Sequence, residues 1–225
     1  ALSTDQAADL RRGQVDFTLI ALATFLTQAG VFVLAAPFLS EADLGLLRAA
    51  ERVALLVSFP LLAINPVIAP RIVRLARGHD GAGLRRLTGR AMLLSGGIGL
   101  PVLLVLLIWP ERALALMGAE FTAAAPYLRV MAPAQLVVAA LGPLGMLLNM
   151  SGRERASMWI NVVTLGLAVA LIPLMSMAFG APGFVAVYLI VTGVRFGLIG
   201  MSVIRNLAAW RVPAEGCANL TDQRP

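Results

Sequence analysis

The sequence predicts an all-α polytopic membrane protein, a six-transmembrane-helix bundle, and three observations predict it. Of 225 residues 59% are hydrophobic and only 13% are charged, against about 25% charged in soluble domains. The mean hydropathy is +0.86. The apolar residues gather into six stretches of roughly 17 to 24 residues, each long enough to cross about 30 Å of hydrocarbon at about 1.5 Å per residue. The segments between them are too short to form a soluble domain.

Taken in order, residues 1–15 (ALSTDQAADLRRGQV) are polar, carry no signal-peptide pattern and read as a cytoplasmic linker. Polar residues and Gly/Pro punctuation then set spans at 16–39, 47–72, 88–109, 127–150, 156–179 and 183–206, with boundaries loose by a few residues. Together residues 16–206 form the six-helix transmembrane bundle, and residues 207–225 read as a cytoplasmic tail.

The basic residues orient the bundle, because Arg near span ends is retained on the cytoplasmic side. Arg11 and Arg12 precede span one, and Arg71, Arg74, Arg77, Arg85, Arg86 and Arg90 flank the loop after span two. Arg153 and Arg155 follow span four, and Arg205, Arg211 and Arg224 lie at or in the tail. The opposite loops hold Glu41 and Asp43, then Glu111, Arg112 and Glu120, then the uncharged FGAP turn at 179–182. Both termini are therefore expected on the cytoplasmic side. An even number of spans lets a preceding six-span unit be related to this one by an axis along the membrane normal, as in parallel transporter repeats. The absence of an initiating Met fits the later half of such a chain.

Residue usage excludes several chemistries. All 18 basic residues are Arg, and the only His is His79 in a polar loop. Without Lys there is neither a P-loop lysine nor a Schiff base, and one His makes no His-based zinc site. Cys217 is the single cysteine and lies in the tail, so no intrachain disulfide forms and a reduced thiol is expected. No catalytic residue, metal site, cofactor or nucleic-acid partner is expected.

Function must then rest on polar and helix-breaking residues within the spans. Span two carries Pro60, Pro66 and Pro70 with Asn65 in SFPLLAINPVIAP, so it is expected to bend, and Pro60, Asn65 and Pro66 are the candidate hinge residues. Gly193-x-x-x-Gly197 in span six permits close helix approach. Arg48 and Arg52 stand four residues apart near the outward end of span two, on one helix face at a spacing that can grip two linked phosphates. They read equally as interface anchors whose side chains reach lipid headgroups, with Glu51 as a pairing partner. Arg195 is too deep in span six to snorkel and is expected to meet a polar partner among Gln28, Gln135, Asn149 and Asn161; Arg129 reads as an interface anchor. No Asp or Glu falls in the interior of a span, Asp16 and Glu51 being near span ends, which favours an anionic cargo over a cationic one.

Four segments carry a family resemblance: LLRAAERVALLVSFPLLAINPVIAPRIVRLARGHD at 46–80, WPERALALMGAEFTAAAPYLRVMAP at 109–133, LLNMSGRERASMWINVV at 147–163 and FGAPGFVAVYL at 179–189. In this order and spacing the chain resembles the C-terminal half of polysaccharide-unit flippases of the multidrug/oligosaccharidyl-lipid/polysaccharide exporter superfamily. The resemblance implies one half of a twelve-helix exporter, partnered by a preceding six-helix half. Such an exporter, in the bacterial inner membrane, moves a polyprenyl-diphosphate-linked sugar for cell-surface polysaccharide or lipopolysaccharide biosynthesis. It also implies a cavity-facing basic residue in the second helix, where AER at 50–52 puts Arg52; Arg48 matches no family position. The implied partners are a lipid-linked anionic saccharide and membrane lipids. A drug or cation antiporter of the same superfamily, an integral-membrane transferase acting on lipid-linked sugars, and a purely structural membrane subunit are the competing readings.

Overall fold

The computed structural model describes residues 30–78, 80–150 and 154–209. The linker at 1–15, most of the first expected span, His79, Arg153 and the tail with Cys217 lie outside them. The described residues are almost wholly helical and contain no strand, as expected of an all-α polytopic membrane protein. Residues 30–35 are helical (α1) and lead into a 3-10 turn at Ala36–Phe38. Then follow α2 (Glu41–Ala54), a 3-10 turn (Leu55–Ser58), α3 (Pro60–Arg77), α4 (Gly81–Ile108) and the short α5 (Pro110–Ala115). A further 3-10 segment (Ala119–Ala124) leads into α6 (Ala125–Met150), α7 (Glu154–Phe179) and α8 (Ala181–Ala209).

Four of these helical stretches, Gly81–Ile108, Ala119–Met150, Arg155–Phe179 and Ala181–Arg205, are each long and apolar enough to cross a membrane. A fifth crossing is available if Glu41–Ser58 and Pro60–Arg77 are one span bent by 46°. These match expected spans two to six, but the helices outrun the apolar stretches. Thus α4 begins at Gly81, where Asp80 caps it by accepting the Gly83 N–H at 2.7 Å, and so takes Arg85, Arg86 and Arg90 into its first turns. Likewise Ser40 caps α2 through the Asp43 N–H at 3.1 Å, six residues before the expected start of span two.

The bend falls at one of the three prolines in span two. Pro60 has no N–H to give to Leu56, whose carbonyl instead accepts from the Phe59 N–H at 3.3 Å. The Ser58 hydroxyl donates to the Leu55 carbonyl at 3.1 Å, and a 3-10 turn replaces the α-helical ladder. Pro66 and Pro70 lie within the continuous α3 and break nothing.

Helix α6 is the central post, packed against α2, α3, α4 and α8, while α7 packs chiefly on α8. Small residues make the α4–α6 crossing close: buried Ser95 donates its hydroxyl to the Ala139 carbonyl across the interface at 2.6 Å. The apolar interior forms two clusters, one around Leu47, Val57, Leu128, Met131 and Phe184, the other around Ile64, Ile72, Leu84, Leu147 and Phe196. The outside is as apolar as the inside, with Leu62, Leu93 and Ile204 at least 70% exposed, a distribution suited to lipid rather than water as solvent. The expected close approach at Gly193 and Gly197 is not made within the described fold: nothing lies within 4 Å of where a Cβ would stand at either. Both face outward. Arg129 pairs with Glu111 at 3.0 Å, both side chains about half exposed.

Candidate functional site: a polar cavity within the bundle

A cavity of about 450 Å³ opens between α1, α2, α3, α6 and α8. Its walls follow from helical periodicity. Gln135, Val138, Gly142, Gly145 and Asn149 form one stripe of α6, and Tyr188, Val191, Thr192, Arg195 and Ile199 form one stripe of α8, both at the three- and four-residue steps that share a helix face. Gly145 adds no side chain to the wall, and Gly142 lets Leu61 pack against α6, where a Cβ would stand 2.7 Å from the Leu61 Cδ1.

The polar groups in this wall are Ser58, Thr192 and six longer side chains: Glu51 from α2, Asn65 from α3, Gln135 and Asn149 from α6, and Tyr188 and Arg195 from α8. The Gln135 side-chain amide donates to the Tyr188 hydroxyl. The Oδ1 atoms of Asn65 and Asn149, Oε1 of Gln135 and Nε of Arg195 are buried with no hydrogen-bond partner among the described residues. Among the described residues no three His, Cys, Asp or Glu side chains stand together, so no metal cage is formed there.

Of the sequence-predicted residues, Asn65 lines the cavity, while Pro60 is half-buried at the start of α3 and Pro66 is exposed on its outer side. Arg48 and Arg52 are not in the cavity wall. Arg48 donates to Glu51 Oε2 at 3.3 Å and its guanidinium lies 3.6 Å over the Phe32 ring. Arg52 is exposed and has no ion pair among the described residues. Geometry explains the separation: each residue turns an α-helix by about 100°, so the face that carries Glu51 inward carries Arg52 outward.

One expectation needs correction. Glu51 lines the cavity with its side chain 15% exposed, so a carboxylate does lie inside the bundle. Sequence reading put it near a span end because α2 starts earlier than its apolar stretch. Among the described residues Arg195 makes no hydrogen bond to Gln135, Asn149 or Asn161, and Gln28, the remaining expected partner, lies outside them. Tyr188 is the wall residue that sequence reasoning passed over; its signal was a polar-tipped aromatic seven residues before a buried Arg, one face of one helix.

A family model described as MatE matches residues 18–174, a stretch that includes α2 to α6 and most of α7. No curated protein and no solved structure matches the chain. The chain belongs to the MatE family, and with it to the transporters of the multidrug/oligosaccharidyl-lipid/polysaccharide exporter superfamily.

Proposed function

We propose that this chain is one half of a flippase that moves polyprenyl-diphosphate-linked sugar units across the bacterial inner membrane for cell-surface polysaccharide synthesis. The observation that carries the reading is Arg52, an exposed guanidinium that makes no salt bridge among the described residues. A guanidinium keeps its charge at any cellular pH and can hold a diphosphate through paired, charge-assisted hydrogen bonds. Arg48, committed to Glu51 and Phe32, is an accessory on the same side. In this reading a preceding six-helix half supplies the facing wall, and the bend at Pro60 is the joint on which the outer part of span two rocks.

Complementation of a polysaccharide-export-deficient strain tests it. The Arg52→Ala variant of the full-length protein should lose export while its membrane abundance stays near that of the wild type. Pro60→Ala, which lets residue 60 donate to Leu56 and stiffens the joint, should lower export in the same assay. Full export by Arg52→Ala at normal abundance refutes the diphosphate role, and full export by Pro60→Ala refutes the hinge.

The Arg distribution supports a topology with both termini cytoplasmic. On a Cys217→Ser background, Asp80→Cys should react with an impermeant maleimide only after cells are permeabilised, and Glu120→Cys should react in intact cells. The opposite pattern inverts the bundle. One observation favours a second reading, the drug or cation antiporter: Glu51 lines the cavity and is mostly buried, as a coupling carboxylate would be. Loss of proton- or sodium-driven substrate efflux in Glu51→Gln, with export of sugar polymer intact, would select it.

A further inference from the structure

The cavity has a charge that nothing in it neutralises. Two charged residues line it, Glu51 and Arg195. Glu51 is held by Arg48 at 3.3 Å, whereas among the described residues Arg195 has no ion pair and its Nε is buried without an acceptor. A guanidinium does not shed its proton to escape burial, so an uncompensated one in an apolar bundle calls for an anion. The remaining orphans have the opposite need. Asn65 Oδ1, Gln135 Oε1 and Asn149 Oδ1 are buried acceptors with no donor, and each is costly unless a donor reaches it. Tyr188 accepts from Gln135, which leaves its own phenolic proton free to give.

From this complement we infer that the cavity is a binding site for a hydroxylated phosphodiester monoanion. Its single negative charge meets Arg195, and its hydroxyls donate to the carboxamides of Asn65, Gln135 and Asn149. A cavity of about 450 Å³ holds a group of this size within the range of small-molecule pockets. Arg52 is not in the wall of this site, and the inference does not depend on the flippase reading. The chemistry is shared by two sources: the headgroup of an anionic glycerophospholipid, and a free glycerol or sugar phosphodiester.

The test uses the full-length protein, delipidated in nonionic detergent, with glycerophosphoglycerol as the soluble probe and glycerol as the uncharged control. In parallel, native mass spectrometry reads retention of phosphatidylglycerol against phosphatidylcholine from nanodiscs. Wild type should bind glycerophosphoglycerol but not glycerol, or retain phosphatidylglycerol over phosphatidylcholine. The first outcome identifies a free ligand and the second a lipid. Arg195→Met, which removes the charge and keeps the length, should weaken whichever binding is seen by about tenfold or more, whereas Arg129→Met, outside the cavity and paired with Glu111 in the wild type, should retain it. If Arg195→Met does not fold, Asn149→Ala and Asn65→Ala each remove one acceptor and should each weaken binding. No binding of any probe by wild type overturns the inference. So does unchanged affinity in Arg195→Met, or in both Asn variants.

Discussion

Replacing Gly183 by Ala is expected to leave little folded protein in the membrane. Helix α7 ends at Phe179, Gly180 turns the chain at φ +63°, and α8 starts at once with Ala181 and Pro182. Gly183 therefore sits in the first turn of α8, pressed against the last turns of α7. A Cβ there would run into the Met175 carbonyl oxygen and stand 2.7 Å from its carbonyl carbon. Both are backbone atoms of a helix and have no rotamer in which to withdraw. The clash is relieved only by splaying α7 from α8, and these two helices pack along most of their length. Overpacking in a core costs about 1–3 kcal/mol where side chains can yield, and a backbone obstruction belongs at or above the top of that range. Gly180→Asn is the matched control, since Asn adopts the left-handed conformation at modest cost and nothing stands within 4 Å of a Cβ at Gly180. Immunoblotting of membranes and size-exclusion profiles of the detergent extract compare the two. A Gly183→Ala protein with wild-type abundance and a single symmetric peak would refute the clash.

That turn also marks what could be read from the residues alone. FGAPG at 179–183 was legible as an outward turn because it is uncharged, short and built from Gly and Pro; the need for glycine at position 183 in particular was not. Such a need depends on which carbonyl the returning helix meets, and that is a tertiary fact. The same division runs through the bundle. Apolar length and punctuation locate α6, α7, α8 and the end of α4 within a few residues, because hydrocarbon thickness is a one-dimensional constraint. Polar helix starts such as Ser40–Asp43 and Asp80–Gly83 lie beyond that constraint, so α2 and α4 begin earlier than the hydropathy suggests.

The site was less legible, for a rotational reason. Arg48, Glu51 and Arg52 lie within one and a half turns, and their charge and depth could be read, but the direction that α2 faces could not. Helix α2 does carry an apolar stripe, but in a membrane an apolar stripe does not by itself say whether it meets lipid or the rest of the bundle. The three side chains are sorted by the packing of Leu47, Ala50 and Ala54, all fully buried, which turns Glu51 to the cavity and Arg52 outward. Arg195 was identified by depth, but its lack of a partner is visible only once the facing stripe of α6 is known.

The bend in span two gives the second large effect, at a residue on a different helix. Gly99 of α4 is buried against the 3-10 turn that precedes Pro60, and a Cβ on it would lie 2.7 Å from the Val57 carbonyl oxygen and 3.5 Å from the Ala139 Cβ. Pro60 creates the turn, but the absence of a side chain at Gly99 is what lets α4 close over it. Gly99→Val therefore has to push α4 off the turn or force the turn to change shape, and either separates α4 from α6 at the Ser95–Ala139 hydrogen bond of 2.6 Å. Gly97→Val introduces the same β-branched side chain two residues earlier, where nothing stands within 4 Å of the added Cβ and the side chain points outward. Helix propensity is altered alike in the two variants, so their difference isolates the contact. In thermal unfolding of the full-length protein in detergent, Gly99→Val should melt well below wild type, as befits a core clash of about 1–3 kcal/mol, while Gly97→Val should stay close to it. Equal melting temperatures for the two valines would mean that α4 does not rest on the bend, and that Pro60 alone sets its angle.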